Sequence, residues 1–180
     1  MGGARSGKSR FAVVGLPPRG RVTFIATAEA HDADMAARIA RHRAERSPHW
    51  TTLEAPHELV PRLAGALREA DTVVVDCLTL WIANLVLRGD GDKAILGEAD
   101  ALAALVATPP AALRLVSNEV GLGVHPATAD GLRFRDILGL VNQKVAAAAH
   151  RVVLMVVGLP HLLKDTPSGS PVDAAAHEAP

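Results

Sequence analysis

The sequence predicts an α/β domain with a mostly parallel sheet and helices on both faces. Three observations lead there. Four short runs rich in β-branched residues, Arg21 to Thr27, Thr72 to Cys77, Leu113 to Ser117 and Arg151 to Val157, are continuously apolar, as strands covered on both faces are. Ala/Leu-rich stretches of helical length separate them, an alternation that joins parallel strands through right-handed crossovers. The chain also opens on Gly2-Gly3-Ala4-Arg5-Ser6-Gly7-Lys8-Ser9, which fits G-x-x-x-x-G-K-[ST], the pattern that joins a strand to a helix around a phosphate.

In this loop the spaced glycines let backbone N–H groups turn inward around phosphate oxygens. Lys8 adds a charge toward the β/γ-phosphates and Ser9 is placed to hold Mg²⁺. A nucleoside triphosphate is the ligand this implies. The helix expected after the loop runs from Lys8 to about Val14, but the strand expected before it would lie upstream of Met1. That strand is normally central, so without it the neighbouring strands lose ladder partners and apolar side chains lie uncovered. The expectation is a first strand missing from this chain, through truncation or at the expense of the fold.

The first strand run leads into a helix expected over Asp32 to Glu45. There Asp34, Arg38 and His42 fall four apart on one face, with Met35 and Ile39 on an adjacent apolar stripe. His42 sits among Arg38, Arg41, Arg43 and Arg46. A neutral imidazole is a competent nucleophile at phosphorus, and arginines suit a triphosphate; an Arg/His-rich solvated surface fits the same spacing. Further helices are expected over His57 to Glu69, Thr79 to Leu87, Glu98 to Ala107 and Gly131 to His150, the last broken or frayed near its ends. Arg88 to Asp92 reads as a loop, and Thr108-Pro109-Pro110 stops a helix.

The second strand run ends in Asp76 after three valines, which is how a second acid reaches a metal ion beside a phosphate loop. An isolated acid there would equally cap the next helix; beside this loop the metal reading is preferred. Asn118 and Glu119 with Gly121-Leu122-Gly123 follow the third run and form a polar rim, or a plain turn, at the edge where open sheets bind ligands. From Asp165 the chain has little to bury, and residues 165–180 read as a disordered tail after a catalytic domain over 1–164.

The bulk composition excludes several classes. The 180 residues suit one domain, and 49% hydrophobic residues supply a sizeable core. Lys plus Arg equals Asp plus Glu at 19 each, and no basic stretch interleaved with aromatics suggests nucleic acid. Cys77, the single cysteine, rules out an internal disulfide and reads as packing. No signal peptide or membrane-length apolar run is present, so a cytoplasmic location is expected. The other histidines lack ligand spacing, and no zinc site is expected.

Four strings can be read together: Gly2 to Arg10, Asp34 to Arg43, Ser117 to Pro126 and Phe134 to Gln143. In this order they resemble the bifunctional adenosylcobinamide kinase / adenosylcobinamide-phosphate guanylyltransferase family of cobalamin biosynthesis, from Gly2 to about Lys164. The resemblance implies a RecA-like P-loop fold and a homotrimer. It implies two steps: phosphorylation of adenosylcobinamide, then transfer of GMP from GTP onto that phosphate, giving adenosylcobinamide-GDP and pyrophosphate. ATP and GTP would be substrates, Mg²⁺ the cofactor and a corrinoid the partner. The family's guanylylated histidine falls on His42. Its nucleotide contacts fall on Gly2, Gly3, Ala4, Arg5, Ser6, Gly7, Lys8 and Ser9, on Ala26, Thr27 and Ala28, on Arg43 and Arg46, and on Glu54 and Asp76, with Ser9 and Asp76 as metal ligands. Some relatives carry Glu at the position of Asp76; the shorter side chain favours a water-mediated Mg²⁺ contact. Two other readings use fewer of these residues: a different small-molecule P-loop kinase, which needs the loop and Asp76 but not His42, and an inactive nucleotide-binding protein lacking its first strand.

Overall fold

Twelve elements alternate along the described chain: α1 (Lys8–Val13), β1 (Val22–Ala26), α2 (Ala33–Ala44), β2 (Thr51–Glu54), α3 (Leu59–Glu69), β3 (Thr72–Asp76), α4 (Leu78–Arg88), α5 (Asp92–Ala107), β4 (Ala112–Val116), α6 (Ala129–Ala148), β5 (Arg151–Val156) and β6 (Leu159–Asp165). They come from a computed structural model that describes residues 1–30, 32–44 and 46–166. Four strands pair in the order β2-β1-β3-β4, all parallel.

Side-chain alternation explains why the strand runs are apolar throughout. Phe24, Val74 and Val116 face one side with Ala12 of α1. Ile25, Val73 and Val75 face the other, against α3 (Leu63), α4 (Trp81, Leu85), α5 (Leu102) and α6 (Leu138, Val141). Both faces of a central strand are dry, so neither position carries a polar residue. Trp81 is fully buried, and its indole N–H donates to the His57 carbonyl at 3.0 Å. Asn84 is the polar counterpart: its amide donates to the carbonyls of Thr27 (2.7 Å) and Pro56 (3.0 Å), closing the turns after β1 and β2.

Several elements differ from the sequence expectation. The fourth apolar run, β5, does not join the main sheet; it pairs antiparallel with β6 as a two-stranded ribbon. The link between ribbon and sheet is Gly2, which bridges in parallel to Asn118 beyond β4 and to Met155 of β5. Two strands were not anticipated. β2 is four residues of edge strand, Thr-Thr-Leu-Glu, too short and polar to give a periodic signal, and β6 carries Pro160, which an edge strand tolerates. α5 starts at Asp92 rather than Glu98, because Asp92 is an acid in the first turn and favourable beside its N–H groups. α6 is unbroken, with Thr128 Oγ1 accepting from the Gly131 N–H at 3.1 Å as its cap.

The tail expected from Asp165 lies outside the described residues apart from its first two. Asp165 closes β6 and accepts from Arg151 Nε (3.0 Å) and Nη2 (2.9 Å). Glu45, expected at the end of α2, is also outside them. Among the described residues no helix is long and apolar enough to cross a membrane.

Candidate nucleotide-binding site

The carboxyl ends of the parallel strands form the floor of the site. Register places Glu54 of β2, Ala26 of β1 and Asp76 of β3 in one row across that edge, with Val116 of β4 next. Open parallel sheets bind ligands at this edge. The phosphate loop comes to it at the far end of the row, because Gly2 is seated beside Asn118 and its carbonyl accepts from the Glu119 N–H at 3.1 Å.

Loop geometry follows from its glycines. Gly2 has φ 152°, and a Cβ there would stand 2.5 Å from the Met155 carbonyl oxygen and 2.8 Å from Ser6 Oγ. Gly7 has φ 93° and is the N-cap of α1, so the chain can reverse there and start the helix at Lys8. The turn of the β5–β6 ribbon supports the loop from behind, with the Gly158 N–H donating to the Ser6 carbonyl at 3.2 Å. Ser6 itself is buried, and its hydroxyl has no hydrogen-bond partner among the described residues.

The charges of the site share one field. Lys8 lies across the loop, Nζ donating to the Gly3 carbonyl at 2.7 Å. Partial burial lowers its pKa below the usual lysine value; the nearby Cys77 and Asp76 oppose that shift and Arg38 adds to it. Partial burial likewise lowers the pKa of Arg46, against the pull of Asp76 and with the push of Arg43. The Arg46 guanidinium lies 3.7 Å over the Phe24 ring, a stacking that holds a cation on an apolar face. Asp76 is thus the shared counter-charge of the loop lysine and of Arg46. Burial, ahead of Asp76, raises the pKa of the Cys77 thiol, which is that of an inert packing residue.

Helix α2 carries His42 in its last turn. Asp32 caps it, its carboxylate accepting from the Met35 N–H at 2.7 Å. No residue of α2 is buried; Met35, Ile39 and His42 are the half-covered ones, while Asp34 and Arg38 are exposed. His42 therefore shares the inward stripe with Met35 and Ile39 rather than the charged line expected from Asp34 and Arg38. Arg38, on the charged side of the same helix, is near enough to Lys8 to help lower its pKa.

Not every expected contact residue lies open to the site. Thr27 is wholly buried; its hydroxyl accepts from the Cys77 N–H (2.9 Å) and donates to the Cys77 carbonyl (2.7 Å), tying β1 to β3. Ala26 and Ala28 are half-buried, Glu54 is exposed at the outer strand, and Ser9 is half-buried in the first turn of α1. Ala4, Arg5 and Gly3 are exposed at the crest of the loop.

The sequence marked Asn118 only as part of a polar rim, and did not show the contacts by which it and its neighbours position the loop. Thr79 Oγ1 accepts from the Asn118 N–H (2.8 Å), Asn142 Nδ2 donates to the Asn118 carbonyl (3.0 Å), and Ser117 Oγ donates to Asn142 Oδ1 (2.6 Å). This network from β4, α4 and α6 holds the segment on which Gly2 rests. Its bonds join residues 24 to 39 positions apart, so no local spacing records that they meet.

The family of cobinamide kinase / cobinamide phosphate guanyltransferase matches residues 1–163. The chain belongs to this family. It is 44% identical over 168 residues to the bifunctional adenosylcobalamin biosynthesis protein CobP of Pseudomonas aeruginosa, covering 93% of this chain and 96% of the relative. It is also 39% identical over 170 residues to the bifunctional adenosylcobalamin biosynthesis protein CobU of Escherichia coli, and equally to that of Salmonella typhimurium; each match covers 88% of this chain and 94% of the relative. The cobinamide kinase family match thus spans every element of the site, from the Gly2 loop to the β5–β6 ribbon behind it.

Proposed function

We propose that this chain phosphorylates adenosylcobinamide and then transfers GMP from GTP to adenosylcobinamide phosphate. One observation carries this reading: Asp76 at the carboxyl edge acts on both Lys8 and Arg46, with Arg38 beside Lys8 and Arg43 beside Arg46. Cations gathered near the phosphate loop suit a polyphosphate, and family membership supplies its class of acceptor.

In the kinase step the loop N–H groups and Lys8 hold the triphosphate while the substrate hydroxyl oxygen bonds to the γ-phosphorus. The bond from that phosphorus to the β-bridging oxygen breaks, the nucleoside diphosphate leaves with the electron pair, and the hydroxyl proton is released to water. In the guanylyl step an imidazole nitrogen of His42 bonds to the α-phosphorus of GTP and pyrophosphate departs. A phosphate oxygen of the second substrate then displaces the imidazole from that phosphorus, and adenosylcobinamide-GDP forms. Arg43 and Arg46, just after the nucleophile, are placed to balance the charge of the departing pyrophosphate.

The Ser9 hydroxyl and the Asp76 carboxylate are hard oxygen donors of the kind Mg²⁺ accepts beside phosphates and water, and both stand by the loop. Bound there, Mg²⁺ would neutralise phosphate charge. We place the enzyme in the cytoplasm as a homotrimer. Support comes from Met35 and Ile39, half-exposed on a helix with no buried residue, and from Val157 and Leu159, exposed at the tip of the ribbon.

The test is incubation with GTP labelled at the α-phosphate. Acid-labile label on the wild-type protein, absent with γ-labelled GTP and from His42→Ala, is the expected outcome. A sample that binds GTP yet takes up no label would refute the histidine route.

A further inference from the structure

We infer that Leu122 and Val124, at the tip of the loop between β4 and α6, form the apolar surface on which the corrinoid acceptor lies. The inference rests on the proposed reaction and adds to it the place that receives the second substrate. Leu122 is 86% exposed, and Val124, at 96%, is the most exposed large hydrophobic side chain among the described residues. A single apolar residue on a surface is ordinary. Two on one loop beside a substrate site mark a contact surface.

The loop is fastened directly to the phosphate loop. It leaves β4 through Asn118, which bridges in parallel to Gly2, and the Glu119 N–H donates to the Gly2 carbonyl at 3.1 Å. Thr79 and Asn142 fix Asn118 in turn. Toward the tip, Glu119 Oε1 accepts from the Gly121 N–H at 2.8 Å, and the Gly123 N–H donates to the Val120 carbonyl at 3.3 Å. Beyond the tip, Arg135 Nη1 donates to His125 Nδ1 at 2.9 Å. Bonds on both sides of the tip hold Leu122 and Val124 out on a braced turn, which lowers the ordering cost of binding against them.

The tip decides the occupant's chemistry. Leu122 and Val124 carry no hydrogen-bonding side chain, so they select apolar area rather than the edge of a base or a phosphate. Of the two substrates, the acceptor supplies that area. A corrinoid is a broad macrocycle with methyl groups on its faces and amide side chains round its edge, and the hydroxyl to be phosphorylated hangs from it on an arm. With that hydroxyl at the γ-phosphate, the ring needs a wall beside the phosphate loop to hold it in line, and the Leu122 loop is such a wall. His125 adds a polar partner. Because its Nδ1 accepts from Arg135, the neutral ring carries its proton on Nε2, a donor suited to an amide carbonyl.

The test compares the wild-type protein with the polar pair Leu122→Ser/Val124→Ser and the conservative pair Leu122→Met/Val124→Ile. Phosphorylation of adenosylcobinamide is followed at varied acceptor and at varied GTP. The polar pair is expected to raise KM for adenosylcobinamide about 10-fold or more, since burying two such side chains carries at least that much binding. KM for GTP and Tm should not move, and the conservative pair should keep the wild-type KM for adenosylcobinamide. An unchanged KM for adenosylcobinamide in the polar pair would overturn the inference. So would parallel rises in KM for both substrates, which mark a displaced phosphate loop. Loss of the wild-type oligomer in the polar pair, with KM for adenosylcobinamide unchanged, would assign the tip to a second copy. A wild-type protein that phosphorylates no adenosylcobinamide would overturn the proposed function and this inference with it, whereas turnover with an unchanged KM overturns this inference alone.

Discussion

Replacing Gly2 by alanine tests how the loop is seated. The new Cβ would stand 2.5 Å from the Met155 carbonyl oxygen, a backbone atom of β5, and 2.8 Å from Ser6 Oγ, on a backbone of φ 152° that side chains rarely adopt. Contacts this short require the backbone to move. Movement of residues 1–2 puts three hydrogen bonds at risk: Met1 to Val153, Met155 to Met1, and Glu119 to Gly2. At about 1 kcal/mol each, the ceiling is about 3 kcal/mol. A domain of this size loses about 2–4 °C per kcal/mol, so Tm should fall, by up to about 6–12 °C. Gly3→Ala is the internal control, because a Cβ at Gly3 meets nothing within 4 Å. Calorimetry with and without GTP reads both variants. The expected result is a lowered Tm and weakened GTP binding for Gly2→Ala, with Tm nearly unchanged for Gly3→Ala. Equal Tm values for the two would refute the reasoning that the loop is anchored through Gly2.

Asp76→Asn removes the shared counter-charge of Lys8 and Arg46, and is expected to lower nucleotide turnover at least 100-fold while the cooperative thermal transition survives; near-normal turnover would exclude Asp76 from the site. Lys8→Met should abolish turnover yet raise Tm near neutral pH. Folding lowers the lysine pKa, so the unfolded chain binds more protons between the folded value and 10.5; the destabilisation is full below that window and relieved as pH rises through it. The Tm advantage of Lys8→Met should therefore shrink above pH 10.5, and an advantage that grows there would reverse the sign of the argument. Asn84→Leu leaves the Thr27 and Pro56 carbonyls without their donor and should cost about 2–4 kcal/mol in urea unfolding, a loss that an unchanged midpoint would contradict.

Much of this protein was legible in its sequence because the signal was local. The loop from Gly2 to Ser9 announces its ligand through glycines that only a turning backbone needs, and Val73 to Val75 announce a strand buried on both faces. The acid closing that run, Asp76, stands at the carboxyl edge because strand ends lie there. Less legible were β2 and β6, edge strands with no buried residue and no hydrophobic period. Thr27, which the resemblance places near the nucleotide, also ties two strands, a role set by the backbone of Cys77 fifty positions away.

The sequence by itself determined the class of fold, the phosphate-binding chemistry, and the residue types able to carry charge near a nucleotide, since each rests on neighbours in the chain. Tertiary structure alone decided that Lys8, Asp76, Arg38 and Arg46 share one field. It alone decided that Asn142 and Thr79 hold the segment under Gly2, and that Gly2 bridges this segment to β5. These are contacts between residues tens of positions apart. They arise because burying both faces of the sheet forces distant segments together, and no local pattern records which ones will meet.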